Sequence, residues 1–68
     1  MTALHPTGRA MAIGDEQGLL QIYQWTGHRF VLDWCCEIDF PIQEIIITDN
    51  DKLIVATIDQ IKIWDAFT

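Results

Sequence analysis

Apolar and polar residues alternate in two short segments of the chain. Residues 20–24 read Leu-Gln-Ile-Tyr-Gln, and residues 61–65 read Ile-Lys-Ile-Trp-Asp. Successive side chains of a β-strand point to opposite faces of the sheet, so a period of two is typical of half-buried strands. No segment shows a sustained helical period. Both segments are therefore predicted to be β-strands.

Three further segments have the composition of strands. Residues 30–36, 42–48 and 53–58 are rich in β-branched and aromatic side chains, which fit a pleated surface. Clusters of turn-forming residues lie at 5–8, 15–18, 26–28, 39–41, 49–51 and 59–60. The whole pattern predicts an all-β fold, an antiparallel meander of about seven short strands.

The chain also contains an internal repeat. Residues 20–24 match residues 61–65, which lie 41 positions later, and residues 7–12 match residues 50–55 at nearly the same offset. Self-similarity at a fixed period of this length is typical of a repeated supersecondary unit. The repeated unit is predicted to be a four-stranded antiparallel sheet.

The repeat resembles that of WD-repeat β-propellers. Residues 63–65 are similar to the tripeptide that closes a WD repeat, and the offset falls within the ~40–45 residues of such a repeat. Residues 12–23 and 42–52 are similar to other strands and turns of the family's unit. The residues that carry the repeat signature are Tyr23, Gln24, Ile63, Trp64 and Asp65.

The chain departs from the family pattern at several positions. The glycine-histidine pair that precedes the inner strand of a WD repeat is missing near residues 37–38, and Gly27-His28 lies in a loop instead. The turn at Asp59 has no glycine. Of the Asp-His-Ser/Thr-Trp hydrogen-bond network that the family contains, the chain supplies only Trp64, with Thr57 and Asp59 as candidate partners.

The resemblance implies a partial β-propeller with one four-stranded blade and three strands of a second. The first blade spans residues 1–38 and the second, incomplete blade spans residues 39–68. Their strands are expected at 2–5, 9–14, 19–24, 29–37, 42–48, 52–58 and 61–65. Because WD propellers close their ring with an N-terminal strand, the chain resembles the C-terminal part of a larger propeller, or a truncated remnant of one.

The charge and the cysteine content limit the kinds of partner and the cellular compartment that are expected for the chain. Ten acidic residues against four basic ones give a net charge of −6, so there is no basic face for nucleic acid or an anionic membrane. There is no apolar run of ~20 residues and no secretory leader pattern. The two cysteines are adjacent, Cys35 and Cys36, which disfavours a bridge between them. A cytoplasmic protein with free thiols is expected.

The sequence offers little catalytic or metal-binding chemistry. It contains no serine, and its two histidines, His5 and His28, fall in a turn and a loop. The pattern at 49–51 opens like a calcium loop, but apolar residues follow where further oxygen ligands belong, so a turn is expected. Carboxylates at Asp15-Glu16 and along 33–39 are expected to be solvated. We therefore predict no enzyme activity, no cofactor and no metal.

The aromatic residues have two interpretations. Tyr23 and Trp64 occupy matching repeat positions, which favours packing between blades over a binding role. Trp25 and Trp34 have no repeat partner, so either packing or an interaction surface remains open for them, because tryptophan is a frequent interface anchor.

The predicted function is that of a non-catalytic scaffold for protein interactions. Half of the residues are hydrophobic, and a chain of 68 residues normally cannot remove that much apolar surface from water by itself. The alternative is a structural complementation piece that folds only with further blades. Self-association into a homo-oligomer is expected in that case, with residues 29–37 of one copy as a candidate strand to cover an open edge of another.

Overall fold

The computed structural model describes residues 1–65, and this part of the chain forms seven strands and no helix. The strands are β1 (Thr2–Leu4), β2 (Ala10–Gly14), β3 (Leu19–Trp25), β4 (Phe30–Glu37), β5 (Glu44–Ile47), β6 (Leu53–Ala56) and β7 (Ile61–Trp64). The last three residues of the predicted second blade, 39–68, lie outside the described residues. The described part holds no helix that could cross a membrane.

The strands form two antiparallel meanders. A four-stranded sheet has the order β1-β2-β3-β4, and a three-stranded sheet has the order β5-β6-β7. Every pairing joins strands that are neighbours in the sequence, through short turns. The prediction of an all-β antiparallel meander with strands near the expected spans is confirmed.

The core lies between the two sheets, where small residues of one sheet face large residues of the other. Ala10, Ala12 and Gly14 of β2 are buried, and Ile45 and Val55 of the three-stranded sheet are buried with them. A Cβ on Gly14 would lie 2.8 Å from Cδ1 of Ile42 and 2.9 Å from Cδ1 of Ile45. The small residues of β2 therefore let the second sheet approach closely.

A glycine in the turn between β2 and β3 positions the connection between the sheets. Gly18 has a φ of +92°, and a Cβ on it would lie 1.8 Å from the carbonyl oxygen of Ile38. The Ile38 N–H donates to the Gly18 carbonyl at 2.7 Å. Gly18 is thus needed both for its left-handed backbone and for the close passage of the chain that leads from β4 to β5.

The strand registers place the matched segments at equivalent positions in the two sheets. In the four-stranded sheet Leu4, Met11 and Tyr23 lie side by side on β1, β2 and β3. In the three-stranded sheet the equivalent positions are occupied by Ile47, Leu53 and Trp64. The offsets between the equivalent residues are 43, 42 and 41 positions in that order. The turn between β1 and β2 also has the same backbone conformation as the turn between β5 and β6. Gly8 and Asp51 occupy the same position in these turns, and both have a positive φ, +79° and +69°.

Candidate interaction surface

The outward face of the three-stranded sheet is apolar. Ile46, Ile54 and Ile63 lie side by side across β5, β6 and β7. Ile46 is 46% exposed, Ile61 68% and Ile63 64%. We call Ile46, Ile54, Ile61 and Ile63 the isoleucine face. Its neighbour Ile58, in the turn from β6 to β7, is also exposed.

The isoleucine face follows from the alternation along each strand. In β5 the buried residues Ile45 and Ile47 point to the core, so the residue between them points outward, and that residue is Ile46. In β6 the buried Leu53 and Val55 leave Ile54 facing outward in the same way. These strands are hydrophobic on both faces, which is the pattern of strands covered on two sides.

The four-stranded sheet has an outward apolar row of its own. Leu4, Met11, Tyr23 and Leu32 lie side by side across its four strands. Leu4 is 58% exposed and Leu32 47%, while Met11 and Tyr23 are half-buried. We call these four residues the tyrosine row. Tyr23 therefore lies on the outward face and does not pack between the two sheets.

The central rows of both outward faces are uncharged. The row beside the tyrosine row consists of Thr2, Ile13, Gln21 and Cys35. On the isoleucine face Glu44 lies at one end, opposite Ala56. At the other end lies the ion pair of Lys52 and Asp65, two positions from Ile54 and Ile63 along their strands. The net charge of −6 therefore sits mainly on turns, edges and the β3–β4 hairpin. Contiguous exposed apolar surface is unusual on a monomeric protein.

The tryptophans occupy two different environments. Trp34 and Trp64 pack against the core, with ring centroids 6.4 Å apart, one from each sheet. Trp34 is half-buried. Trp25 is exposed and lies edge-on to Phe30, with centroids 5.1 Å apart, at the far end of the β3–β4 hairpin.

The other signature residues serve local contacts. The Gln24 amide donates to Oδ2 of Asp33 at 3.3 Å. Asp65, directly after β7, forms an ion pair with Lys52, directly before β6. Thr57, a candidate partner of Trp64, donates through its hydroxyl to the Gln60 carbonyl at 3.4 Å, within its own turn.

A partly buried polar contact joins the two sheets at one end. His5, in the turn after β1, is 3% exposed, and its Nε2 lies 2.8 Å from Oδ1 of Asp51 in the turn between β5 and β6. The Thr7 backbone N–H donates to Nδ1 of His5 at 3.1 Å, so Nδ1 is an acceptor and Nε2 carries the donated proton. Arg9 forms an ion pair with the same carboxylate. We call His5, Arg9 and Asp51 the polar clasp.

The clasp shifts the titration of its carboxylate. Hydrogen bonds from His5 and then from Arg9 lower the pKa of Asp51. Sequence reasoning placed His5 and Asp51 in separate turns and missed the contact. The two residues are 46 positions apart, and no local pattern signals the pairing.

The cysteines are free thiols, as predicted. Cys35 is exposed on the outward face, and Cys36 is half-buried toward the core. Burial raises the pKa of Cys36, and the neighbouring Cys35 raises it further. Residues 1–65 contain no cluster of three or more His, Cys, Asp or Glu side chains that could hold a metal ion.

Comparison with protein-family models and with curated proteins gave no match for this chain. The resemblance to WD-repeat propellers therefore stays a prediction from the sequence pattern. Within the described residues, the isoleucine face and the tyrosine row are the candidate interaction surface.

Proposed function

We propose that the chain is a non-catalytic scaffold for protein interactions, built as part of a WD-like β-propeller, and that it binds through the isoleucine face. The observation that carries this proposal is the row of Ile46, Ile54 and Ile63, which lies in register across three strands and faces outward. A sheet face with an uncharged apolar row at its centre suits the face of another β-sheet, since stacked sheets pack about 10 Å apart through such side chains.

The energy available on this face is substantial for a small protein. Full burial of one isoleucine side chain contributes roughly 1.5–3 kcal/mol. Four isoleucines, each already partly covered by its neighbours, would contribute a fraction of the sum. That contribution must exceed the entropy lost on association, so a partner must cover most of the face at once.

A second candidate function is structural complementation. In the four-stranded sheet β4 pairs with the edge of β3, whereas the described residues of the three-stranded sheet end at β7. The edge of β7 offers unpaired backbone groups to an added strand. A partner that supplies further blades would use this edge together with the isoleucine face.

Photo-cross-linking in cells that express the protein tests the proposed function. The photoreactive residue benzoylphenylalanine replaces Ile63, and in the control it replaces Gln17, which is exposed in the turn between β2 and β3. We expect a defined protein adduct from position 63 alone. The purified partner should bind the unmodified chain and lose binding to Ile63→Lys. The absence of an adduct at position 63 would contradict the proposal.

A further inference from the structure

We propose that the isoleucine face of one chain docks the tyrosine row of a second copy, so that copies join head to tail. This inference rests on the proposed role of the isoleucine face as a binding surface. It adds the identity of the partner, which is another copy of this chain, and the part of the partner that is bound.

The isoleucine face is the repeat equivalent of the inward face of the four-stranded sheet, which the three-stranded sheet covers. Ile46, Ile54 and Ile63 correspond in register to a row of the four-stranded sheet at the same three offsets. That row is Ala3, Ala12 and Ile22. Ala12 and Ile22 are fully buried against the three-stranded sheet, and Ala3 packs beside them.

The tyrosine row is the repeat equivalent of the inward face of the three-stranded sheet, which covers the four-stranded sheet. Leu4, Met11 and Tyr23 correspond to Ile47, Leu53 and Trp64. Ile47 and Leu53 are buried in the core, and Trp64 packs against it.

The contact between the two sheets of one chain can serve as the pattern for a contact between chains. Inside the chain, the row of Ala3, Ala12 and Ile22 packs on the row of Ile47, Leu53 and Trp64. The equivalent of the first row is the isoleucine face and the equivalent of the second is the tyrosine row, and both are directed outward. The contact inside the chain can therefore be continued between copies by the same relation of one sheet to the next. Such a contact is heterologous, because different surfaces meet, and it builds a ring or an open stack.

The contact between copies must depend on apolar burial. At the positions equivalent to His5 and Asp51 stand Thr48 and Gly8, so the polar clasp is not repeated. The residues of the isoleucine face and of the tyrosine row are uncharged, and charged side chains lie only around them. Added salt screens the repulsion between copies and is expected to strengthen the association.

Two charge-introducing variants test the direction of the contact. Ile63→Lys disrupts the isoleucine face, and Leu4→Lys disrupts the tyrosine row; both positions are more than half exposed, so the fold should be retained. Gln17→Lys is the matched control. Light scattering and analytical ultracentrifugation measure the mass, and circular dichroism checks the fold.

The wild-type chain and the control should assemble, and each disruptive variant alone should weaken assembly by at least about tenfold in Kd. An equimolar mixture of the two variants should form a 1:1 dimer, because one variant retains an intact isoleucine face and the other retains an intact tyrosine row. A mixture that stays monomeric would overturn the proposal. So would dimers of Leu4→Lys alone, which would indicate that isoleucine faces pack on one another.

Cross-linking keeps the test valid if a lysine variant does not fold. Benzoylphenylalanine at position 63 should link to a peptide of a second copy that contains Leu4 or Met11. A monomeric wild-type chain whose position 63 links to a different protein would overturn the second-copy proposal and leave the proposed function standing. Absence of any adduct would contradict both.

Discussion

Nε2 of His5 donates a hydrogen bond to Oδ1 of Asp51 over 2.8 Å, and this bond ties the first turn of one sheet to the first turn of the other. The histidine is almost completely buried, and its other ring nitrogen is occupied by the Thr7 backbone N–H. The two sheets are thus held by a directional contact at one end, in addition to the apolar core between them.

His5→Ala should lower the free energy of unfolding by about 1–3 kcal/mol, because the Thr7 N–H loses its acceptor and Asp51 loses a donor. Urea unfolding followed by tryptophan fluorescence, at a fixed protein concentration, measures the change. His28→Ala is the matched control, since His28 is exposed in the β3–β4 loop, and it should change stability little. Equal effects of the two substitutions would contradict a structural role for the clasp.

Acidification should weaken the clasp through Asp51. The pKa of Asp51 is lowered in the folded chain, so its contribution is fully present above the unfolded carboxyl pKa of about 3.9. The contribution is lost as the pH falls through the folded pKa, below about pH 4. Asp51→Asn removes this titration while tolerating the positive φ at that position. The stability difference between wild type and Asp51→Asn should shrink on acidification, and a constant difference would argue against the clasp.

Gly18→Ala should destabilise the chain by at least about 3 kcal/mol, through backbone strain together with overlap with the Ile38 carbonyl. Gly27→Ala separates the two causes. Gly27 also has a positive φ, +103°, but a Cβ there would meet nothing within 4 Å. That substitution should cost only the strain, about 1–2 kcal/mol. Thermal melts of the two variants compare them directly, and equal losses would show that the close passage at Ile38 is unimportant.

Trp64→Ala should cost about 2–3 kcal/mol, below the usual range for a fully buried tryptophan because the side chain is half-buried. Trp25→Ala is the comparison, since Trp25 is exposed and its ring partner is Phe30; about 1 kcal/mol is expected. Chemical denaturation gives both values. A larger loss for Trp25 than for Trp64 would reverse the assignment of packing to the Trp34–Trp64 pair.

The sequence by itself determined the strands, their order and the repeat. Alternation at residues 20–24 and 61–65, the β-branched segments and the turn clusters depend on neighbours a few positions away, so they are visible without a fold. The matching offsets also placed Tyr23 and Trp64 at equivalent positions of two sheets.

Only the tertiary structure decided which face of each sheet is covered. Trp64 lies between the sheets while its repeat counterpart Tyr23 faces outward, because residues 1–65 form one sheet-to-sheet contact and that contact covers a different face of each sheet. The His5–Asp51 bond likewise joins turns 46 positions apart, which meet only when the sheets stack. Period and propensity are local properties of the chain, whereas burial depends on what lies across the interface, and that is fixed by packing.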